Sequence, residues 1–252
     1  RITMKNKIKI RPAVLLVPTA IFLVVIILGI LDGTTFIKVL TSAFETMMSG
    51  FGWFVSITML LFIVFCLVVM FGPMGKIRLG GPNAKPKMTY WQWFAVALTA
   101  GIGTGVVFWG AVEPLLFTME PATFLHWTLT PYAIYVAFGI VMAYVIYNMR
   151  KPFNVSSGLV PLFGDRILKS KFGGIVDVLT VFALVGGVAG SLGYGILQLG
   201  SGISVVFGID TNVILYILIA FVIFLAYTAT SISGLNKGIL WLGDKNSWFF
   251  IF

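Results

Sequence analysis

Polar and apolar positions fall along this chain in long blocks rather than in short amphipathic rhythms. Six stretches are almost wholly apolar: Ala13–Ile30, Phe51–Phe71, Trp91–Phe117, Pro131–Tyr147, Ile175–Phe207 and Asn212–Thr230. A helix rises about 1.5 Å per residue, so about 20 such residues cross a hydrocarbon core of about 30 Å. Each block therefore predicts a membrane-spanning helix. A seventh begins near Ser247 and is cut off at Phe252. The fold class that follows is all-α and polytopic.

The connections carry their own pattern. Asn148–Gly174 places Val155, Leu159, Leu162 and Phe163 at spacings that predict a short helix lying at the interface. Ser231–Asp244 mixes apolar and basic residues and is expected to lie along the inner surface. Two ordinary solvated loops are the alternative.

Composition removes the soluble classes. The chain is 59% hydrophobic and 10% charged, with a mean hydropathy of +1.05. A soluble globule carries about a quarter charged residues. Too little polar surface is left to cover a water-soluble body, so lipid is the expected solvent. The first block follows a basic segment, as a signal sequence does. No small-x-small cleavage site follows Ile30, so it is read as a transmembrane helix.

The net charge of +9 changes the picture only through its distribution. Lys5, Lys7, Lys9 and Arg11 form one cluster, and Lys76, Arg78, Lys85 and Lys87 a second. Arg150, Lys151, Arg166, Lys169 and Lys171 form a third. With the amino terminus in the cytoplasm, sixteen of the seventeen Lys and Arg residues lie inside and only Lys38 outside. Asp32, Glu45, Glu113, Glu120 and Asp210 then fall on the outer side. This is a topology signal, not a nucleic-acid patch. Cys66 and His126 are the only residues of their types, which excludes a disulfide, a zinc framework or a histidine-pair metal site. No catalytic residues and no metal ligands are assigned, and an enzyme is not expected.

Three segments carry candidate chemistry. The third block reads Ala-Gly-Ile-Gly-Thr-Gly at 100–105, then Phe108-Trp109-Gly110 and Glu113-Pro114. Each glycine costs a helix about 1 kcal/mol relative to alanine. Gly101, Gly103 and Gly105 therefore mark backbone able to unwind in mid-membrane, where freed carbonyls serve as cation ligands. The same Gly101 and Gly105 also form a GxxxG pair, which by itself only permits close packing. Both readings stand at this point. The fourth block opens with Trp127, Thr130-Pro131, Tyr132 and Tyr135. Thr130 and Pro131 suit an N-cap and first turn, and Tyr132 and Tyr135 lie within about 60° on one helix face. A cage of ring faces binds a quaternary ammonium, which has no N–H to donate; the alternative is an aromatic belt at the headgroups. The fifth block is crowded with small residues from Gly186 to Gly202, which suit close helix approach. Glu113 lies inside the third block, either a proton relay or a helix-end and packing group.

Gly101-x-Gly-x-Gly105, Phe108-Trp109-Gly110-x-x-Glu113-Pro114 and Trp127…Pro131-Tyr132…Tyr135 together resemble the betaine/carnitine/choline transporters. So do Ser191-Leu192-Gly193-x-Gly195-x-x-Gln198 and Ser233-Gly234-Leu235-x-Lys237-Gly238-Ile239. The resemblance implies a LeuT-like inverted-repeat fold: two accessory helices, then two five-helix repeats, assembled as a homotrimer. It divides this chain into a cytoplasmic basic tail (1–11), two accessory helices with their loop (12–90) and an incomplete first repeat (91–252). The implied activity is secondary active transport, by symport or exchange, of glycine betaine, choline, carnitine or related osmoprotective zwitterions across a bacterial inner membrane. Trp127, Tyr132 and Tyr135 match the family's aromatic box, where the middle position is commonly Trp. Gly101, Ile102, Gly103, Thr104 and Gly105 match its substrate-facing stretch. Thr99 and Ile102 match positions whose backbone carbonyls can hold sodium. A second sodium position in coupled relatives uses two hydroxyls, and Leu184 and Val188 stand there. Asn246 stands where some sodium-independent exchangers have a basic residue. The coupling ion is thus Na+, H+ or none, and no other cofactor is implied. Nothing here matches the tryptophan motif of the family's eighth helix, so residues 1–252 alone are expected to insert without transporting. A symporter for amino acids or nucleobases is the rival reading.

Overall fold

The computed structural model describes residues 11–117, 120–234 and 238–251, with Thr104, Leu116, Phe117, Glu120 and Ala122 described by their backbone alone. Lys5, Lys7, Lys9 and Lys237 lie outside the described residues. Among those described, every regular element is helical: α1 (Pro12–Leu31), α2 (Gly33–Phe71), α3 (Tyr90–Gly101), α4 (Thr104–Phe117), α5 (Glu120–Ala143), α6 (Val160–Phe163), α7 (Lys171–Phe207), α8 (Val213–Gly234) and α9 (Leu240–Ile251). Five helices are long and apolar enough to cross a membrane, and α3 with α4 adds a sixth if the bent pair is one span. Large apolar side chains stand on their surfaces, among them Ile30 at 79%, Phe71 at 80% and Val222 at 63% exposure. Water does not tolerate so much contiguous apolar surface, whereas lipid does.

Several boundaries differ from the sequence expectation, each for a physical reason. Asp32 alone separates α1 from α2, and its carboxylate accepts from the Thr35 N–H at 3.0 Å. That cap starts α2 well before Phe51, so the polar stretch with Lys38 and Glu45 is helical too. The same bond, first of all, holds the Asp32 carboxyl below its usual range near 3.8. A depressed native pKa means the cap's contribution is complete above that value and is lost as pH falls through the lowered one.

Pro131 lies inside α5, not at its start, and Thr130 is no N-cap. Proline frees the carbonyl four residues back, here that of Trp127. The turn survives partly through hydroxyls that bond backward: Thr128 Oγ1 donates to Phe124 O and Thr130 Oγ1 to His126 O. The end of the chain is corrected similarly. Within Ser231–Asp244, α8 runs to Gly234 and α9 begins at Leu240, ahead of the expected start near Ser247. The segment after α5 is helical, but as short turns over Val155–Lys169 rather than one helix.

The chain forms two units, and α5 and α7 each pass from one to the other. One holds residues 1–84 and 133–185. Within it Phe22 stacks on Phe182 at 5.0 Å, and Asn148 ties the loop after α2 by accepting from Gly80 N and donating to Arg78 O. Its polar centre is Asp177 of α7, 6% exposed. That carboxylate accepts from Arg11 at 2.7 Å, Ser156 N at 2.9 Å, Ser156 Oγ at 3.0 Å and Asn154 Nδ2 at 3.1 Å.

The other unit holds residues 85–132 and 186–252. A capping box starts α3: Thr89 accepts from Gln92 N, and Gln92 Oε1 accepts from Thr89 N. Helix α9 lies along α3 through small residues at a spacing of four on both sides. Gly243 and Ser247 face Ala95 and Thr99; a Cβ on Gly243 would sit 3.7 Å from Ala95 O and from Thr99 Oγ1. Ser247 and Ala95 are almost fully buried there, as small-xxx-small packing requires. Around this seam Trp91 donates to Asp244 at 2.6 Å and packs on Trp248 at 5.7 Å.

Candidate functional site

The glycine-rich stretch is a true helix break. Ile102 turns out of α3 with φ −103° and ψ 86°, Gly103 is non-helical, and α4 resumes at Thr104. The axes on either side differ by 51°. Ile102 N still donates to Leu98 O at 2.8 Å, and Val107 N to Gly103 O at 3.3 Å. A helix that stops at Gly101 leaves the carbonyls of Thr99, Ala100 and Gly101 without intrahelical donors. Three acceptors thus collect on one short stretch of backbone.

Tyr132 of α5 packs onto that break. A Cβ placed on Gly101 would meet Tyr132 Cε1 at 3.0 Å, tighter than ordinary side chains allow. A side chain at Gly101 would displace the ring by a few tenths of an ångström, while Gly103 and Gly105 have open space around them. The structure brings together Gly101 and Tyr132, the two motifs that the sequence showed separately. Of the GxxxG pair only Gly101 has a close partner among the described residues, an aromatic ring, and Gly105 has none.

Trp127, five residues earlier on α5, donates its indole N–H to Glu113 Oε2 of α4 at 2.7 Å. The His126 ring meets Trp127 edge to face at 4.9 Å, and Thr130 Oγ1 lies 2.7 Å from His126 Nδ1. Both Trp127 and Glu113 are half-buried. Glu113 is thus bound to an aromatic residue of the candidate cage. Tyr135 lies three residues beyond Tyr132, in the other unit, with 63% of its surface exposed. Thr104 opens α4, and its side chain lies outside the described residues.

The ion-site candidates fall on the same break. Thr99 Oγ1 accepts from Asn246 Nδ2 of α9 at 3.4 Å, so the hydroxyl is held by a neutral amide while the Thr99 carbonyl points along the broken helix end. Leu184 and Val188 are exposed and apolar, with no oxygen to offer a cation beyond their backbone.

One aromatic group escaped the sequence reading. Tyr194 of α7 stacks on Phe108 at 5.1 Å and meets Trp109 edge-on at 5.4 Å, both on α4. Tyr194 is the only aromatic between Phe182 and Phe207. That isolation within a small-residue stretch was the available signal: a bare helix with one ring has a partner for that ring.

Residues 13–252 match the sequence model of the betaine/carnitine/choline family transporters. A glycine betaine transporter of Bacillus subtilis, OpuD, is 34% identical over 90% of this chain and 48% of its own length. A probable glycine betaine transporter of Desulfitobacterium hafniense is 30% identical over 93% of the chain and 50% of its own. An ectoine/hydroxyectoine transporter of Virgibacillus pantothenticus is 32% identical over 96% of the chain and 51% of its own. The chain spans about half the length of the curated relatives it matches.

Proposed function

The chain belongs to the betaine/carnitine/choline transporter family, and from that premise we propose that it forms part of a secondary active transporter for quaternary ammonium compounds and related zwitterions. The observation that carries this reading is the seating of the Tyr132 ring on Gly101, at the helix break. Carbonyl dipoles for a cation and an aromatic face for an ammonium group thereby adjoin one another. A quaternary ammonium cannot donate a hydrogen bond, so ring quadrupoles supply its attraction. The relatives named for glycine betaine and for ectoine bracket the substrate class.

In this reading Trp127, Tyr132 and Tyr135 are the aromatic residues that serve the substrate, and the backbone from Gly101 to Gly105 supplies the polar groups. The carbonyls of Thr99 and Ile102 hold a coupling sodium if one is used. The apolar Leu184 and Val188 leave no second sodium position, and Asn246 adds no fixed positive charge beside Thr99. At most one sodium is therefore coupled to each substrate, or exchange proceeds without it. The amino terminus and the Lys76–Lys87 loop face the cytoplasm of a bacterial cell membrane, and the assembled protein is a homotrimer. Alternating access rocks one inverted repeat against the other about the break.

Uptake kinetics of variants test the site. In the full-length protein carrying these residues, Trp127→Ala and Tyr135→Ala each remove a desolvated cation–π contact worth about 2 kcal/mol, raising the apparent Kd for a trimethylammonium substrate roughly 30-fold. Phe at either position retains most of the binding, since the ring face acts. Normal transport by both alanine variants would return these rings to the headgroup belt.

A further inference from the structure

Glu113 lies ten residues beyond the glycine break and takes no part in the site just described. It nonetheless accepts the one N–H of the Trp127 indole, with Nε1 and Oε2 2.7 Å apart. We propose that Glu113 is the positioning residue of the substrate site: its carboxylate fixes the rotation of the Trp127 ring and increases that ring's attraction for a cation. The inference rests on the reading of Trp127 as part of the site.

Three observations support it. An indole has one donor and no acceptor, so one strong bond sets its orientation. The separation is that of a charge-assisted bond, about twice as strong as a neutral one. The rest of the local framework is loose: Pro131 leaves the Trp127 carbonyl without its helical donor. The nearby Thr130 hydroxyl is engaged with His126 and does not replace that donor. The turn carrying Trp127 is therefore less rigidly held than an uninterrupted helix, and the link to α4 does the orienting.

The carboxylate also acts electronically. Negative charge at the indole N–H polarises the ring and deepens the negative potential on its faces, the feature that attracts an ammonium group. A neutral acceptor in the same place orients the ring without adding this effect. Glu113 thus bears on the preference for cationic over uncharged solutes, as well as on affinity.

A double-mutant cycle on uptake by the full-length protein distinguishes this from a structural role. Glu113→Gln keeps an acceptor and the volume but removes the charge. In the wild-type background it is expected to raise KM for glycine betaine by about threefold and Glu113→Ala by about tenfold, with Vmax per membrane-inserted protein within about twofold. In a Trp127→Phe background, which keeps a ring but has no N–H, both substitutions should change KM by less than about twofold. Equal KM losses in the two backgrounds, or losses confined to Vmax and protein level, overturn the proposal. Trp127→Ala transporting with an unchanged KM would instead overturn the reading of the site, and the proposal with it. These failures are distinguishable.

Discussion

At Gly101 a single hydrogen atom decides how near the α3 backbone comes to the Tyr132 ring. A methyl there would lie 3.0 Å from Cε1, so alanine demands a shift of a few tenths of an ångström. Valine adds two further carbons and drives the ring away from the break. Overpacking of this kind costs about 1–3 kcal/mol. Gly101→Val is therefore expected to raise KM for a trimethylammonium substrate about tenfold or more, and Gly101→Ala by less, since 1.4 kcal/mol is about a factor of ten. Gly103→Ala meets open space and serves as the comparison. Uptake kinetics with protein levels measured in the membrane check the order; equal effects at Gly101 and Gly103 would mean that backbone flexibility, not ring contact, is what the glycines supply.

At the scale of elements, Asp177 joins the start of α1, the turn at Asn154–Ser156 and α7 through one buried carboxylate. Its partners are unequal. Arg11 keeps 43% of its side-chain surface exposed, so its ion pair is solvent-screened. Ser156 is fully buried and loses its acceptor outright if the carboxylate goes. Asp177→Ala is accordingly expected to destabilise the fold by about 2–3 kcal/mol and Arg11→Ala by less than about 1 kcal/mol. Thermal unfolding in detergent reads the difference, and equal shifts would contradict the account of the network. None of this was legible in the chain, because Arg11 and Asp177 are 166 positions apart. Hydropathy did show the spans, and glycine spacing offered the break near Gly101 beside a close-packing reading, since both depend on local composition. Pro131 misled because proline usually opens helices in soluble proteins, whereas in α5 side-chain hydroxyls bond backward to the carbonyls around it. Helix α9 was placed too late because its first turns are held by Asp244 and Gly243 against α3, contacts with no hydropathy signal. The meeting of Gly101 with Tyr132 was not legible either: each motif is local, but their contact is tertiary.

For the whole molecule, the proposed function requires that the break between α3 and α4 line the substrate's path through the membrane. Thiol chemistry tests that claim in a background of the full-length protein from which Cys66 and any cysteine outside these residues have been removed. Gly103 accepts a cysteine without steric conflict, having no heavy atom within 4 Å of a Cβ there. Lys38→Cys and Lys85→Cys calibrate sidedness: in intact cells an impermeant thiol reagent should modify the first and spare the second. The deciding measurement is the rate at which a small methanethiosulfonate reagent modifies Gly103→Cys, with and without saturating glycine betaine. Modification is expected, slowed several-fold by glycine betaine, with the Lys38→Cys rate unchanged. A cysteine at Gly103 that never reacts, or reacts at the same rate with substrate bound, in a variant that still transports, would contradict it.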